Sequence, residues 1–219
     1  MSVKTVFFDL DGTILYTLPD LHDATNYALS LEGFPLRTIE ETGTFLGNGV
    51  RNLVRLSLPE GVNEEAFERV LANQMDYYSK HLMDKTVPYD GILDVLQELK
   101  DQGIQLGVIS NKYDAAVRMI VPHYFGDLFD VMTGEQDGIA RKPDPTLIAW
   151  AREQLPVSDG PMVYVGDSDV DARTALGVGC PFLLATWGFR TKEQLKEFGE
   201  EHFVDAVSDL PHRIMELFK

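Results

Sequence analysis

An apolar segment near the start of the sequence ends abruptly in two carboxylates. Residues 6–8 are Val-Phe-Phe, and Asp9 and Asp11 follow with one leucine between them. An uninterrupted apolar run of this kind is typical of a strand buried on both faces of a parallel sheet. Carboxylates beside such a strand lose hydration, which is costly unless a cation or hydrogen bonds compensate. Asp9 and Asp11 are therefore candidate catalytic and metal-binding residues, although a strand that merely ends in an Asp-Gly turn would look similar.

The composition narrows the classes of protein and partner. The chain has 219 residues, 44% of them hydrophobic, and a formal net charge of -16. Such an acidic chain is a poor match for a nucleic-acid backbone, and no apolar run approaches the roughly 18 residues of a membrane span. The single cysteine, Cys180, has no internal disulfide partner, and the N-terminal residues do not resemble a signal peptide. We expect a cytoplasmic protein, monomeric or homodimeric, that binds neither nucleic acid nor membrane.

Strand-like and helical patterns alternate through the second half of the chain. The predicted strands cover residues 104–109, 129–132, 162–165 and 181–184, and two of the predicted helices cover 91–100 and 146–155. Asp144 and Pro145 are a typical N-cap and first residue for the second of these helices. Strands separated by helices favour parallel pairing with helices on both faces. The fold class predicted is α/β, with a doubly wound, Rossmann-like parallel sheet.

Residues 14–86 interrupt that alternation, since helical periodicity dominates there and no strand is predicted. Asn63 is a candidate N-cap. Apolar side chains then recur at helical spacing, at Phe67, Leu71, Met75, Tyr78 and Leu82. A stripe of this kind is usually buried core. The sequence thus predicts an all-helical cap domain at 14–86, inserted into a catalytic core domain made of 1–13 and 87–219.

Further polar groups follow the predicted strands. Ser110 and Asn111 come directly after residues 104–109, and Asp167 and Asp171 come after 162–165. Open α/β sheets bind ligands at the carboxyl ends of their strands, so these groups are expected to meet Asp9 and Asp11. Lys142 precedes a predicted helix and is expected at the same edge.

This set of residues suits chemistry on a phosphate ester. An ester brings about two negative charges into a site that already holds several aspartates, so a hard cation with oxygen ligands, such as Mg²⁺, is required. Lys142 and the Ser110 hydroxyl would bind phosphate oxygens. One carboxylate can attack phosphorus to form an aspartyl phosphate, and a second can carry protons for the leaving oxygen and for water.

The segments Asp9-Leu10-Asp11-Gly12-Thr13, Ser110-Asn111, Lys142-Pro143 and Gly166-Asp167-Ser168 with Asp171 resemble, in order, the four motifs of the haloacid-dehalogenase-like (HAD) hydrolases. The resemblance covers essentially the whole chain. With an aspartate at position 11, the first motif resembles that of the phosphatase branch of this family. It implies that Asp9 is the nucleophile and Asp11 the general acid/base. It also implies that Mg²⁺ is bound by Asp9, Asp167 and the main-chain carbonyl of Asp11, with Asp171 in support.

Two further segments bear on the substrate, which the resemblance implies to be a small phosphorylated metabolite. Residues 19–21 and 46–51 resemble phosphoglycolate phosphatases, although Tyr16-Thr17 stands where that subgroup usually has Asp-Ser. Thr13, Asn111 and Arg51 are further candidates for substrate contact. For Arg51, an ordinary place on a helix surface is the alternative, and for Asn111 a purely turn-shaping role.

Three alternatives stay open at this point. A β-phosphoglucomutase-like phosphomutase would retain the aspartyl phosphate and return it to a sugar. A sugar or nucleotide phosphatase of the same family would differ only in its substrate. A phospho-signalling receiver domain also combines acidic residues, Mg²⁺ and a Lys-Pro pair, but the chain of 219 residues is about twice the length such a module needs.

Overall fold

The computed structural model describes residues 3–219 and contains eight strands and ten α-helices there. The strands are β1 (Thr5–Phe8), β2 (Leu15–Tyr16), β3 (Val87–Pro88), β4 (Gln105–Tyr113), β5 (Val131–Glu135), β6 (Met162–Gly166), β7 (Phe182–Ala185) and β8 (Phe203–Val204). The helices are α1 (Leu18–Leu31), α2 (Ile39–Phe45), α3 (Gly49–Ser57), α4 (Glu64–His81), α5 (Ile92–Asp101), α6 (Asp114–Phe125), α7 (Thr146–Glu153), α8 (Asp169–Val178), α9 (Lys192–Leu195) and α10 (Leu210–Leu217).

Six strands form one parallel sheet in the order β5-β4-β1-β6-β7-β8. From β1 the chain moves outward through β4 to β5, and then returns to the other side of β1 to build β6, β7 and β8. The direction of winding therefore reverses at β1. Open α/β sheets bind ligands at the carboxyl ends of their strands beside such a reversal, so the end of β1 is where the fold places a ligand site.

Helices cover both faces of this sheet, which confirms the predicted doubly wound α/β class. Successive side chains of a strand point to opposite faces: Val6 and Phe8 pack in a core cluster with α5, α6 and α10, whereas Phe7 packs in a second cluster with α7 and α8. All three β1 side chains are buried. This two-sided burial is the physical reason for the uninterrupted apolar run at the start of the sequence.

The segment between β2 and β3 consists of the helices α1 to α4, of which α1 and α4 pack along each other. Asn63 caps α4 as expected, since its side-chain oxygen accepts a hydrogen bond from the Ala66 N–H at 2.9 Å. This segment has its own apolar cluster, which includes Phe67 and Leu71. The helical character predicted for the inserted segment is thus observed, while the division into core and cap domains stays a prediction.

Two local expectations need correction. Residues 15 and 16 were expected to be helical, but they form the short strand β2, which pairs antiparallel with β3. Helix α7 begins at Thr146 as predicted, but its N-cap is Pro145 and not Asp144, and it ends at Glu153 and not at residue 155. The Asp144 carboxylate still satisfies a backbone donor at the start of this helix, because it accepts a hydrogen bond from the Thr146 N–H at 2.8 Å.

A buried carboxylate connects the inserted helices to the residues directly before β3. The side chain of Asp20, in α1, accepts hydrogen bonds from the Lys85 N–H at 3.0 and 3.1 Å, and from the Thr86 N–H and hydroxyl at 2.8 Å each. These contacts lie beside the β2–β3 pair, where the chain enters and leaves the inserted segment. Within residues 3–219 no helix combines the length and apolar character needed to cross a membrane.

Candidate active site

A cavity of about 240 Å³ lies between the carboxyl ends of β1, β4 and β6 and the inserted helices. The sheet side contributes Asp9, Asp11 and Asp167, which follow β1 and β6, together with Ser110, Asn111 and Lys112. The last three were expected to follow a strand ending at residue 109, but β4 continues to Tyr113 and its pairing with β5 is irregular between Ile109 and Tyr113. The helical side is mainly apolar, with Leu21, Leu46, Val50, Leu53 and Leu82 among its residues. The structure therefore brings three of the four sequence motifs to one enclosed space, under a roof built by the insertion.

Three buried aspartates form the acidic centre of this site. Asp9, Asp167 and Asp171 each offer a carboxylate oxygen, and these oxygens all lie within 4.8 Å of one another. The β1 and β6 strands set the spacing, because Asp9 directly follows β1 and its N–H bonds the Val165 carbonyl of β6 at 2.9 Å. Asp171 lies in the first turn of α8.

Lys142 is the buried cation of this centre. Its Nζ lies 2.9 Å from Asp9 Oδ1 and 2.7 Å from Asp171 Oδ1, and it donates to the Tyr164 hydroxyl at 3.0 Å. Only 2% of the Lys142 side chain is exposed. Burial alone would lower the pKa of Lys142, but the two carboxylates outweigh it and raise that pKa well above its ordinary value. Lys142 is therefore charged, and it links Asp9 to Asp171.

The charge balance of the centre calls for a further cation. Burial is the main cause that raises the pKa of Asp9 from 3.8 to about 7, against the lowering effect of Lys142. Burial, followed by the charges of Asp171 and Asp9, raises the pKa of Asp167 well above its ordinary range. The cluster thus holds three carboxylates but only one lysine, which contacts Asp9 and Asp171 and not Asp167. Hard oxygen donors of this type suit Mg²⁺. A bound divalent cation would keep Asp9 and Asp167 ionised at neutral pH.

Asp171 is already occupied by protein contacts. Its Oδ2 accepts hydrogen bonds from the Ser168 hydroxyl at 2.6 Å and from the N–H groups of Asp167 and Ser168 at 3.2 and 3.1 Å. Its other oxygen faces Lys142. These contacts suit a residue that orients Asp167 and Lys142, in line with the supporting part that the family resemblance implies.

Asp167 is held from the other side by two groups. The Phe189 N–H donates to Asp167 Oδ2 at 2.7 Å, and the Thr13 hydroxyl donates to Oδ1 at 3.3 Å. Gly12 has φ +86° and packs directly against the Asp167 carboxylate, where a side chain would collide. Thr13 was expected to contact the substrate. Instead it is fully buried and absent from the cavity wall, so it orients Asp167.

Asp11 lies outside the acidic cluster and has its own cation. The Lys112 Nζ is 2.8 and 2.9 Å from the two Asp11 carboxylate oxygens. Lys112 is buried at the end of β4, and both side chains line the cavity. The carboxylate of Asp11 therefore lies apart from the three clustered aspartates and lines the cavity. Lys112 carries no predicted role, although it directly follows Ser110 and Asn111.

Ser110 and Asn111 are both buried in the cavity wall. The Ser110 hydroxyl accepts a hydrogen bond from the Lys112 N–H at 3.1 Å and keeps its own proton for a ligand. The Asn111 side-chain amide donates to the Gly47 carbonyl at 3.0 Å and to the Lys142 carbonyl at 2.9 Å. Asn111 thus connects the inserted helices to the Lys142 loop.

Arg51 does not reach the cavity. Its guanidinium is half exposed on α3 and forms an ion pair with Glu68 of α4. The expected substrate contact is not seen in this structure and stays a prediction, since helix periodicity turns Arg51 outward while its neighbour Val50 lines the cavity. The arginine in the cavity wall is Arg190, which donates to the Gly43 and Leu46 carbonyls at 3.3 and 2.6 Å.

Comparison with known proteins identifies the family. The model of the haloacid dehalogenase-like hydrolases matches residues 6–185. A phosphoglycolate phosphatase of Thiobacillus denitrificans is 30% identical over 95% of this chain and 94% of its own length. Another, from Cereibacter sphaeroides, is 38% identical over 94% of this chain and 90% of its own length.

A solved structure supports the same family assignment. A Lactobacillus delbrueckii subsp. bulgaricus protein, predicted to be a phosphoglycolate phosphatase, superposes with a TM-score of 0.90 at 35% identity, covering 98% of this chain and 99% of that one. The chain belongs to the haloacid dehalogenase-like hydrolases. Within that family it is an enzyme of the phosphatase type, similar over nearly its whole length to phosphoglycolate phosphatases.

Proposed function

We propose that this enzyme is a Mg²⁺-dependent phosphomonoester hydrolase acting on a small phosphorylated acid such as 2-phosphoglycolate, through an aspartyl phosphate on Asp9. One observation carries the proposal: Asp9 lines an enclosed cavity beside a buried lysine at 2.9 Å, with a second carboxylate, Asp11, on the same wall. This arrangement supplies a positioned nucleophile, a positive charge for phosphate oxygens and a separate proton carrier.

In the first step an Asp9 carboxylate oxygen attacks phosphorus, and the bond from phosphorus to the ester oxygen breaks. Asp11 delivers a proton to that leaving oxygen, so the alcohol departs neutral. Lys142 holds Asp9 in place, and Lys142 and the Ser110 hydroxyl stabilise the charge on the phosphoryl oxygens.

In the second step Asp11 removes a proton from water, whose oxygen attacks phosphorus. The bond from phosphorus to Asp9 then breaks, which releases inorganic phosphate and restores the Asp9 carboxylate. Asp9, Asp167 and the main-chain carbonyl of Asp11 would hold Mg²⁺, which when bound neutralises the negative charge that the ester brings in. Thr13 and the Phe189 N–H keep the Asp167 carboxylate oriented throughout, while Asp171 accepts a hydrogen bond from the Asp167 backbone N–H.

The size and closure of the cavity support a small substrate. A volume of about 240 Å³ accommodates a compact phosphorylated metabolite more readily than a nucleotide. Contacts from Asn111 and Arg190 to residues 43–47 hold the helical roof over the site. A closed roof excludes bulk water from the phosphoryl group during transfer, and it has to reopen for product release.

The experiment is a panel of phosphorylated metabolites assayed for phosphate release with and without Mg²⁺. We expect 2-phosphoglycolate to give a higher kcat/KM than sugar phosphates or nucleotides, and EDTA to abolish the release. A preference for nucleotides would refute the substrate assignment. Isomerisation of a hexose phosphate without net phosphate release would favour the phosphomutase alternative. A cytoplasmic location stays a prediction of the composition.

A further inference from the structure

Two polar side chains in the helical roof of the cavity have no protein partner. Gln74 of α4 is fully buried, and neither its amide nitrogen nor its amide oxygen forms a hydrogen bond within residues 3–219. The hydroxyl of Tyr78, one turn further along α4, likewise has no hydrogen-bond partner in the described part of the chain. Both side chains line the cavity. Buried polar groups normally find partners, because an unpaired one costs about 1–3 kcal/mol.

Lys112 faces this pair from the sheet side. Its Nζ lies 4.9 Å from the centre of the Tyr78 ring and against both carboxylate oxygens of Asp11. Burial is the main cause that raises the pKa of Tyr78 to about 12, so the phenol keeps its proton and can donate it in a hydrogen bond at neutral pH. One ammonium, one phenol and one amide N–H thus line the same part of the cavity.

The position of these donors relative to Asp11 indicates which part of a substrate they meet. In the proposed reaction Asp11 protonates the ester oxygen, so the atoms bonded to that oxygen lie beside Asp11. Lys112, in contact with Asp11, is therefore on the leaving-group side of the site, whereas Lys142 serves the phosphoryl side. The rest of the roof is mainly apolar and offers a leaving group few other polar partners.

We infer that Gln74, Tyr78 and Lys112 form a subsite that binds a carboxylate of the leaving group, and that this subsite selects acidic phosphoesters over neutral ones. The inference rests on the proposed function. A carboxylate has acceptor oxygens for all three donors, and its negative charge is opposite in sign to that of the Lys112 ammonium. A neutral alkyl leaving group would leave the same three donors unpaired. This cost discriminates between acidic and neutral phosphoesters more strongly than the added charge pairing does.

The test compares two esters of nearly equal size. In 2-phosphoglycolate the carbon next to the ester oxygen carries a carboxylate, and in ethyl phosphate it carries a methyl group. The variants are Tyr78→Phe and Gln74→Leu, which remove the donors and keep much of the side-chain volume. Tyr77→Phe is the matched control, because it deletes a hydroxyl from the adjacent residue of α4, outside the cavity wall.

We expect the ratio of kcat/KM for 2-phosphoglycolate to kcat/KM for ethyl phosphate to fall about 10-fold in each variant, as for one lost hydrogen bond to a charged group. The control should keep the wild-type ratio. The melting temperature of the two variants should be equal to or above that of the wild type, because they remove unpaired buried atoms, so a lower ratio would not reflect unfolding.

Two outcomes would overturn the inference in distinguishable ways. If the wild type hydrolyses both esters and the ratio is unchanged in Tyr78→Phe and Gln74→Leu, the subsite is wrong and the proposed hydrolysis stands. If the wild type releases phosphate from neither ester in the presence of Mg²⁺, the proposed function fails and the subsite fails with it.

Discussion

The buried lysine of the active site offers a quantitative test of the charge balance described above. Replacing Lys142 with methionine keeps an unbranched side chain but removes the charge that faces Asp9 and Asp171. Breaking a buried ion pair from one side costs about 3–5 kcal/mol, since the remaining charge is left uncompensated. Asp171 retains the Ser168 hydroxyl and two N–H groups, so most of this cost falls on Asp9.

The assay is urea denaturation in EDTA at two pH values. The pKa of Asp9 rises from 3.8 to about 7 on folding, so its protonated form is favoured in the folded state. Its contribution to stability is thus present in full below about pH 4 and is lost as the pH rises through 7. We expect Lys142→Met to lower the free energy of unfolding by about 3–5 kcal/mol at pH 8, and by less at pH 5.5, where Asp9 is neutral.

Lys100→Met is the matched control. The Lys100–Asp130 pair has the same separation of 2.9 Å, but its side chains are 27% and 21% exposed, and such a pair contributes about 1 kcal/mol or less. The double variant Lys142→Met with Asp9→Asn should recover part of the loss, because the buried charge is removed together with its partner. Equal losses for Lys142→Met and Lys100→Met, or the same loss at both pH values, would refute the reasoning.

Three further predictions follow from the same contacts. Adding MgCl₂ should raise the melting temperature more at pH 8 than at pH 5.5, because ligation requires ionised carboxylates and the pKa of Asp167 is raised by burial. Calorimetry checks this on the wild type and on Asp167→Asn, whose melting temperature should not respond to MgCl₂. Asp20→Ala should lower the free energy of unfolding by about 2–4 kcal/mol in urea titration, since it leaves the buried N–H and hydroxyl of Thr86 and the Lys85 N–H without an acceptor; a loss below about 0.5 kcal/mol would contradict it. Arg51→Ala should change kcat/KM less than about 2-fold, whereas Arg190→Ala should lower it about 10-fold by releasing residues 43–46; steady-state kinetics with 2-phosphoglycolate would contradict this if the two effects were reversed.

The sheet and the position of its site could be predicted because their physical signals are local. The apolar run before Asp9 requires two-sided burial, and the polar groups after the other strands meet it because parallel strands end at one edge. Asp9, Ser110 and Asp167 were predicted from this rule, and the structure brings them into one site. Their catalytic roles stay predictions until they are measured.

The contacts that depend on packing between distant segments could not be predicted. The Phe189 N–H reaches Asp167 across 22 positions of sequence, and a backbone donor carries no signature in the residue type. Lys112 and Asp11 are 101 positions apart, so their pairing depends on the register of β1 against β4. The position of the Arg51 side chain could not be predicted for a related reason. One residue of helical rotation separates the cavity wall from solvent.

The inserted helices also contain contacts that could not be predicted from the sequence. Of the predicted stripe, Phe67, Leu71, Tyr78 and Leu82 are buried, and Met75 is partly buried. A buried stripe, however, does not indicate which of its polar atoms lack a partner. Gln74 shares the helical spacing of the stripe, three residues after Leu71 and four before Tyr78. Its polar side chain gave no reason to count it with the apolar residues, so its place in the cavity wall was found only from the structure.

The most direct measurement of the central claim is chemical trapping of the intermediate. The enzyme is mixed with 2-phosphoglycolate and Mg²⁺, quenched rapidly in acid and reduced with borohydride, which converts an acyl phosphate to an alcohol and hence aspartate to homoserine. Peptide mass spectrometry should find homoserine at position 9 and none at position 11. Homoserine at position 11, or its absence from both positions under conditions of rapid turnover, would contradict Asp9 as the nucleophile.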